Sequence, residues 1–359
     1  MIYREAGQFK TSYVADQAVF PIRQDRFLFV AALVIAYGVV PFIGTEYMFT
    51  ALLLPFLVYA MAALGLNILT GYAGQVSLGT GGFMAVGAVA TYKLTTAFPG
   101  LNIVLILLLA GIITALVGIL FGFPSLRIKG FYLAVATLAS QFFLIWLFNK
   151  FPWFNNYTPS GVISAPPRAV FGAFYVTGSQ ATYVGKYLFA LTIVALLALA
   201  AKNLVRGRIG RSWMAIRDMD IAAEIIGIRP LRTKLLAFAV SSFYCGIAGA
   251  LWAFVFTGTV EPQVFEIATS FQVLFMIIIG GLGSILGSFL GAAFIVLLPI
   301  LLENVPRSLG LPIPVNIVSN LQFMIFGALI IFFLIVEPRG FARLWQIGKE
   351  KLRMWPFPY

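Results

Sequence analysis

The chain has no histidine, one cysteine (Cys245, inside an apolar run) and twelve acidic residues in 359. Histidine-based acid–base catalysis, thiolate metal sites and internal disulfides are therefore excluded. The long apolar segments carry essentially no Asp, Glu, Lys or Arg away from their ends. What they do hold is uncharged polarity: Asn67, Gln75, Ser77, Thr80, Thr137, Ser140, Gln141, Ser241, Ser242, Gln272, Asn320 and Gln322. Amides and hydroxyls both donate and accept hydrogen bonds. They suit hydrogen bonding between helices, or weak contact with a neutral or zwitterionic solute. They do not suit proton or sodium coupling, which relies on ionisable or strongly coordinating groups at mid-depth. No nucleophile, base or metal cluster gathers into an enzyme's constellation.

Two glycine-rich stretches interrupt the apolar runs. GYAGQVSLGTGGFMAVGA at 71–88 has six glycines in eighteen residues, and GGLGSILGS occupies 280–288. Interior glycine costs a helix about 0.5–1 kcal/mol relative to Ala. Non-helical backbone at membrane depth is tolerated only inside protein or along a watery cavity, and transporters place such breaks in both halves near the translocation path. On that reading Asn67, Gly71, Gly74, Gln75, Ser77, Gly79, Thr80, Gly281, Gly283 and Ser284 are candidates for the path. The competing reading is close helix packing through small residues, which Gly74, Gly79 and Gly87 would serve.

The composition sets the frame for these segments. With 61% hydrophobic and 10% charged residues and a mean hydropathy of +0.98, the chain cannot coat a water-soluble surface, which needs about 25% charge. The expected fold is all-α and polytopic. Spans are read at 27–43, 47–69, 71–92, 101–123, 130–149, 186–205, 235–257 and 317–336, with two more within 268–302, about ten in all. Net charge is +12, but the Lys and Arg residues lie in short stretches between apolar runs, as the positive-inside rule expects, and do not form a nucleic-acid surface. Arg127 and Lys129, the eight basic residues of 202–234 and the five of 337–353 assign those segments to the cytoplasm; ten spans put both termini there. Residues 1–26 read as a cytoplasmic extension without a signal-peptide core, 27–336 as the membrane domain, and 337–359 as a cytoplasmic tail. The segment 151–185, rich in Pro, Gly and aromatics, reads as a folded-over extracytoplasmic loop or a docking surface.

The cytoplasmic stretch 206–234, RGRIGRSWMAIRDMDIAAEIIGIRPLRTK, predicts one short amphipathic helix. Ser212 is its N-cap, Gly227 its C′ residue and Pro230 its stop. Trp213, Ile216, Met219, Ala223 and Ile226 recur at helical spacing. Such a helix either rests on membrane lipid headgroups or seats in a groove of a partner, which the small residues of AAEIIG favour. The chain has no GxxxxGK[ST] phosphate loop, so ATP-derived energy would come from another subunit.

LGLNILTGYAGQVSLGTGGFMAVGA at 64–88, FYLAVATLA at 131–139, AIRDMDIAAEIIGIRPLRTKLLAF at 215–238 and GGLGSILGSFLGA at 280–292 resemble the permease subunits of ABC importers for branched-chain amino acids, specifically the longer permease of the pair. The resemblance spans roughly 27–340. It implies a second permease, two ATP-binding subunits carrying ATP and Mg, and a periplasmic substrate-binding protein, in a bacterial inner membrane; this chain itself would need no cofactor. It also implies an ATPase-coupling role for Ser212, Ile216, Asp218, Ile221, Ala222, Ala223, Glu224 and Gly227. Ile221 stands where the broader ABC-permease pattern has Glu, and Thr80 where many relatives carry His. Related permeases import urea, short amides or aromatic acids, and a passive small-solute channel shares the uncharged interior.

Overall fold

The computed structural model describes residues 11–12, 18, 23–126, 132–158, 160–170, 174–178, 180–308, 315–336 and 340–354. Most of the 1–26 extension, and Arg127 and Lys129, lie outside the described residues. The described residues are almost wholly helical. Among them ten apolar helices occur, beginning with α1 (Gln24–Ile43), α2 (Met48–Tyr72), α3 (Thr80–Ala97), α4 (Ile103–Ser125), α5 (Tyr132–Lys150) and α6 (Tyr183–Arg206). Two short helices, α7 (Arg208–Asp218) and α8 (Asp220–Ile225), then precede α9 (Pro230–Thr257), α10 (Ile267–Gly280), α11 (Ile285–Ser308) and α12 (Val315–Val336). A surface helix, α13 (Gly340–Met354), closes the chain.

Among the described residues, seven of the ten are long and apolar enough to cross a membrane by length and composition. For α3 and α10 the exception has a physical reason. α3 is buried along nearly its whole length, so its neighbours, not lipid, set its composition, and it tolerates small residues and threonines. α10 has fourteen residues, about 21 Å of helix, because it starts part-way down the bundle. α2, α3 and α9 form the centre, with α9 packed most extensively on α4, α3 and α2. Glycine makes the approach possible: a Cβ on Gly87 would lie 2.0 Å from the Gly246 carbonyl oxygen. Gly87 therefore serves helix packing. α1 stays at the periphery, with Phe27, Val34 and Phe42 exposed.

Helix ends show why the elements start where they do. Asn102 Oδ1 accepts the Val104 N–H at 2.9 Å to cap α4, and Thr182 Oγ1 accepts the Gly185 N–H to cap α6. Pro230 occupies the first turn of α9, where its missing N–H costs nothing. It opens a helix here; the expected stop lies earlier.

Opposite the α7–α8 hairpin, the segment after α5 folds over the end of α3. Strand β1 (Ile163–Ser164) pairs antiparallel with β4 (Thr259–Val260), and β2 (Ala169–Val170) pairs with β3 (Phe174–Tyr175). The Arg168 guanidinium donates to the carbonyls of Thr95 and Pro99.

Candidate functional site

The two glycine-rich breaks meet. α2 ends in a π turn over Ile68–Tyr72, and residues 73–79 run without helix to α3. The second break is the four-residue turn between α10 and α11, with positive φ at Gly281 and Gly283. Asn67 staples them. Its Oδ1 accepts the Gly283 N–H at 2.8 Å. Its Nδ2 donates to the Ser284 carbonyl and to Ser288 Oγ, each at 2.8 Å. With its amide engaged on both atoms, Asn67 acts as a structural tie and has little left for a passing solute. Gly71 is required at the crossing: a Cβ there would lie 2.2 Å from the Gly283 nitrogen.

The hairpin reaches the same point. Arg217, in the last turn of α7, donates from Nη1 to the Gly71 carbonyl at 2.7 Å. Asp218 holds the guanidinium through Nη2 and Nε, at 2.9 and 3.1 Å to Oδ1. Desolvation pushes the Asp218 pKa up, while hydrogen bonds and positive charge around it, those of Arg217 foremost, together bring the carboxyl below its usual range. Gly74, at φ 70°, carries the chain past Arg217, whose Cγ would sit 2.8 Å from a Cβ at that position. Tyr72, Val205 and Met214 pack together beside Ile285. One small region thus joins α2, α6, α7 and α11. Arg217 is not among the residues singled out from the sequence; as one of eight basic residues in one stretch, nothing in its type marks it.

The hairpin differs from the expected single helix. Met219 is extended (φ −161°, ψ 102°) and divides α7 from α8. Ser212 is not an N-cap; it lies inside α7 and donates to the Arg208 carbonyl. Gly227, at φ 91°, does end α8, with Gly227 and Ile228 N–H groups donating to the carbonyls of Glu224 and Ala223. The apolar face divides as well. Trp213, Ile216 and Ala223 are buried, and Trp213 Nε1 donates to the Thr233 carbonyl at 3.1 Å. Met219 and Ile226, expected on the same face, are 65% and 74% exposed. With Ile221 (65%) and Ile225 (81%) they form an apolar knob around exposed Ala222 and Glu224.

From the joint, residues 73–79 lead to the start of α3. Leu78 N–H donates to Thr137 Oγ1 at 3.0 Å, and Gly79 N–H to Ser77 Oγ. Gly82 N–H donates to Gln141 Oε1 and Gly81 N–H to Ser270 Oγ at 2.8 Å. Gln141 is the tenth residue of nineteen in α5, so α3 begins level with the middle of α5. Gln141 Nε2 also donates to the Phe265 carbonyl at 2.6 Å, which brings the 3-10 turn Pro262–Phe265 down to the same level. The first break is therefore half a crossing of extended backbone followed by half a helix. Gly79, a path candidate that also fits a packing role, precedes α3 as its N-cap residue and lies against the Thr137 carbonyl. Ser140 Oγ donates to that same carbonyl. Gln75 and Thr80 are buried, and neither the Gln75 amide nor the Thr80 hydroxyl has a hydrogen-bond partner.

A groove of about 700 Å³ lies elsewhere, between α3, α4 and α5, walled by Val86, Leu120, Phe143 and Leu147 with Lys93 and Trp153 at its mouth. Leu120 and Phe143 are exposed on the outer surface. Apart from Lys93 and Thr96, its lining is apolar or aromatic.

Ten apolar helices around a half-extended crossing, with a basic hairpin tied to its foot, define a multi-pass membrane permease. The chain belongs to the family described as branched-chain amino acid transport system / permease component, whose profile matches residues 48–334. It is 32% identical over 303 residues to the high-affinity branched-chain amino acid transport system permease protein LivM of Salmonella typhimurium, covering 79% of this chain and 67% of that one. The Escherichia coli LivM protein gives the same figures. A probable branched-chain amino acid transport permease protein LivM of Methanocaldococcus jannaschii is 26% identical over 80% of this chain and 91% of its own. No solved structure matches. The chain is thus a transport subunit and not an enzyme, and works as one component of a larger system.

Proposed function

We propose that the chain is a permease subunit of an ATP-driven importer carrying branched-chain or related neutral, hydrophobic amino acids into the cytoplasm. Its partners are a second permease, two ATP-binding subunits that hold ATP and Mg, and a periplasmic binding protein, in a bacterial inner membrane with both chain termini cytoplasmic. The observation that carries this reading is the Arg217–Gly71 hydrogen bond, which ties an exposed apolar knob to the broken crossing. On this reading Ile221, Ala222, Ile225 and Ile226 seat in the ATPase, while Trp213, Ile216 and Ala223 anchor the hairpin to the bundle. Asp218 and Arg217 transmit displacement to Gly71, Gly283 and Ser284. Path contacts come from the segment 73–80. A path with uncharged polar groups binds a zwitterion weakly enough to release it.

A second reading keeps the machinery and changes the solute. A third of this chain is 29% identical to an autoinducer 2 import system permease protein LsrC of Klebsiella pneumoniae, so the solute varies among similar permeases. Urea, short amides or aromatic acids fit the same uncharged segment, and a passive channel would need neither knob nor ATPase. Reconstitution of the full complex in liposomes decides: ATP-dependent accumulation of leucine supports the proposal. Accumulation by this chain alone, without nucleotide, would refute it.

A further inference from the structure

Buried polar groups are almost always hydrogen-bonded, and each exception calls for a physical reason. Three buried side-chain atoms without a partner, Gln75 Nε2, Gln75 Oε1 and Thr80 Oγ1, lie within six positions on one segment. Gln75 is 6% exposed and Thr80 1%. The neighbouring glutamine shows what a structural amide looks like in this protein: Gln141 is bonded at both ends, to Gly82, Ser270 and Phe265. A buried amide left idle destabilises the fold, and leucine of similar size would not. Gln75 also sits between two fixed points of the half-extended crossing, and Thr80 directly follows the second. Gly74 lies against Arg217, and Gly79 lies against the Thr137 carbonyl at the midpoint of the bundle.

We infer that Gln75 and Thr80 are contacts for the head group of the translocated solute, the adjacent ammonium and carboxylate of a zwitterionic α-amino acid. The inference rests on the importer reading above. A primary amide is the neutral complement of that pair: Nε2–H donates to the carboxylate and Oε1 accepts from the ammonium. The Thr80 hydroxyl, in the first turn of eighteen-residue α3, adds a donor where the helix dipole favours negative charge. Neither group reads the side chain, so this station recognises the feature that all amino acids share.

The test uses the complete complex, measuring thermal stability and initial uptake for Gln75→Leu, Thr80→Val and Thr80→Ser. Gln75→Leu should melt at or above the wild-type temperature yet take up leucine roughly ten- to a hundredfold more slowly, the cost of a hydrogen bond to a charged group. Thr80→Val should be impaired, and Thr80→Ser should recover most of the rate. The Gln75→Leu defect should be equal for leucine and valine. Wild-type uptake by Gln75→Leu would overturn the inference. So would a lowered melting temperature, which would mean that the amide is satisfied by another subunit, or a defect that scales with the solute's side chain. A wild-type complex lacking ATP-dependent uptake would instead sink the importer reading, and this inference with it.

Discussion

Arg217 Nη1 donates to the Gly71 carbonyl at 2.7 Å, across 146 positions of chain, and so joins the hairpin α7–α8 to the foot of the first break. The carbonyl is free to accept because α2 ends there. Asp218 keeps the guanidinium in place. Removing the link with Arg217→Ala should cost about 1.5–3 kcal/mol at the joint and leave the complex hydrolysing ATP without matching uptake. Arg217→Lys, a point charge on a flexible stem, should restore this only in part. The ratio of solute imported to ATP hydrolysed is the measurement; an unchanged ratio in Arg217→Ala would remove the joint from the mechanism.

The same pair sets a pH expectation. Asp218 has a lowered pKa in the folded protein, so its contribution is fully present above the ordinary carboxylate range and is lost only as pH falls through the lowered value. Coupling should therefore be flat with pH through neutrality and decline only in acid. In Asp218→Asn the coupling ratio should be reduced at neutral pH and insensitive to acidification.

Gly71→Ala should destabilise the permease. Its Cβ would meet the Gly283 backbone nitrogen at 2.2 Å and the Asn67 amide oxygen at 2.0 Å, and backbone cannot swing aside as a side-chain tip can. The expected loss is about 1–3 kcal/mol, read as a lower melting temperature in detergent. Gly100→Ala, where a Cβ would meet nothing within 4 Å, is the matched control and should melt like the wild type.

The two alanines of the hairpin separate docking from anchoring. Ala222 is exposed and Ala223 is 2% exposed. Ala222→Trp should insert and melt normally while co-purification of the ATPase falls by roughly tenfold or more. Ala223→Trp should destabilise the permease itself, because a large ring has no room against the bundle. Equal ATPase recovery with Ala222→Trp would favour a hairpin that rests on lipid headgroups.

Gln141→Leu should lower the melting temperature, since it leaves the Gly82 N–H and the Phe265 carbonyl without the partner they have now. A cost of about 1–3 kcal/mol per orphaned group is expected. The opposite sign from Gln75→Leu would show that two glutamines on adjoining segments do different jobs.

Much of this was legible before any coordinate. Ten apolar runs, two glycine-rich interruptions and a basic amphipathic stretch stand in the sequence because lipid and water each select composition locally, within a window of residues. The single-helix reading of 206–234 failed at Met219, where periodicity continues across an extended residue and composition cannot register a bend. Ser212 failed as a cap for a related reason: α7 starts four residues earlier, at a turn held by Gly207.

Local composition thus determined that the chain spans a membrane many times, carries no charge at depth and breaks two of its crossings. Only the tertiary structure decided that the breaks touch, that Asn67 ties them and Arg217 bears on them, and that Gln141 is satisfied while Gln75 is not. Those are pairings between residues far apart along the chain, from 59 positions for Gln141 and Gly82 to 221 for Asn67 and Ser288, or the lack of them. Whether a buried amide finds a partner depends on which backbone happens to face it, and no window of sequence contains that backbone.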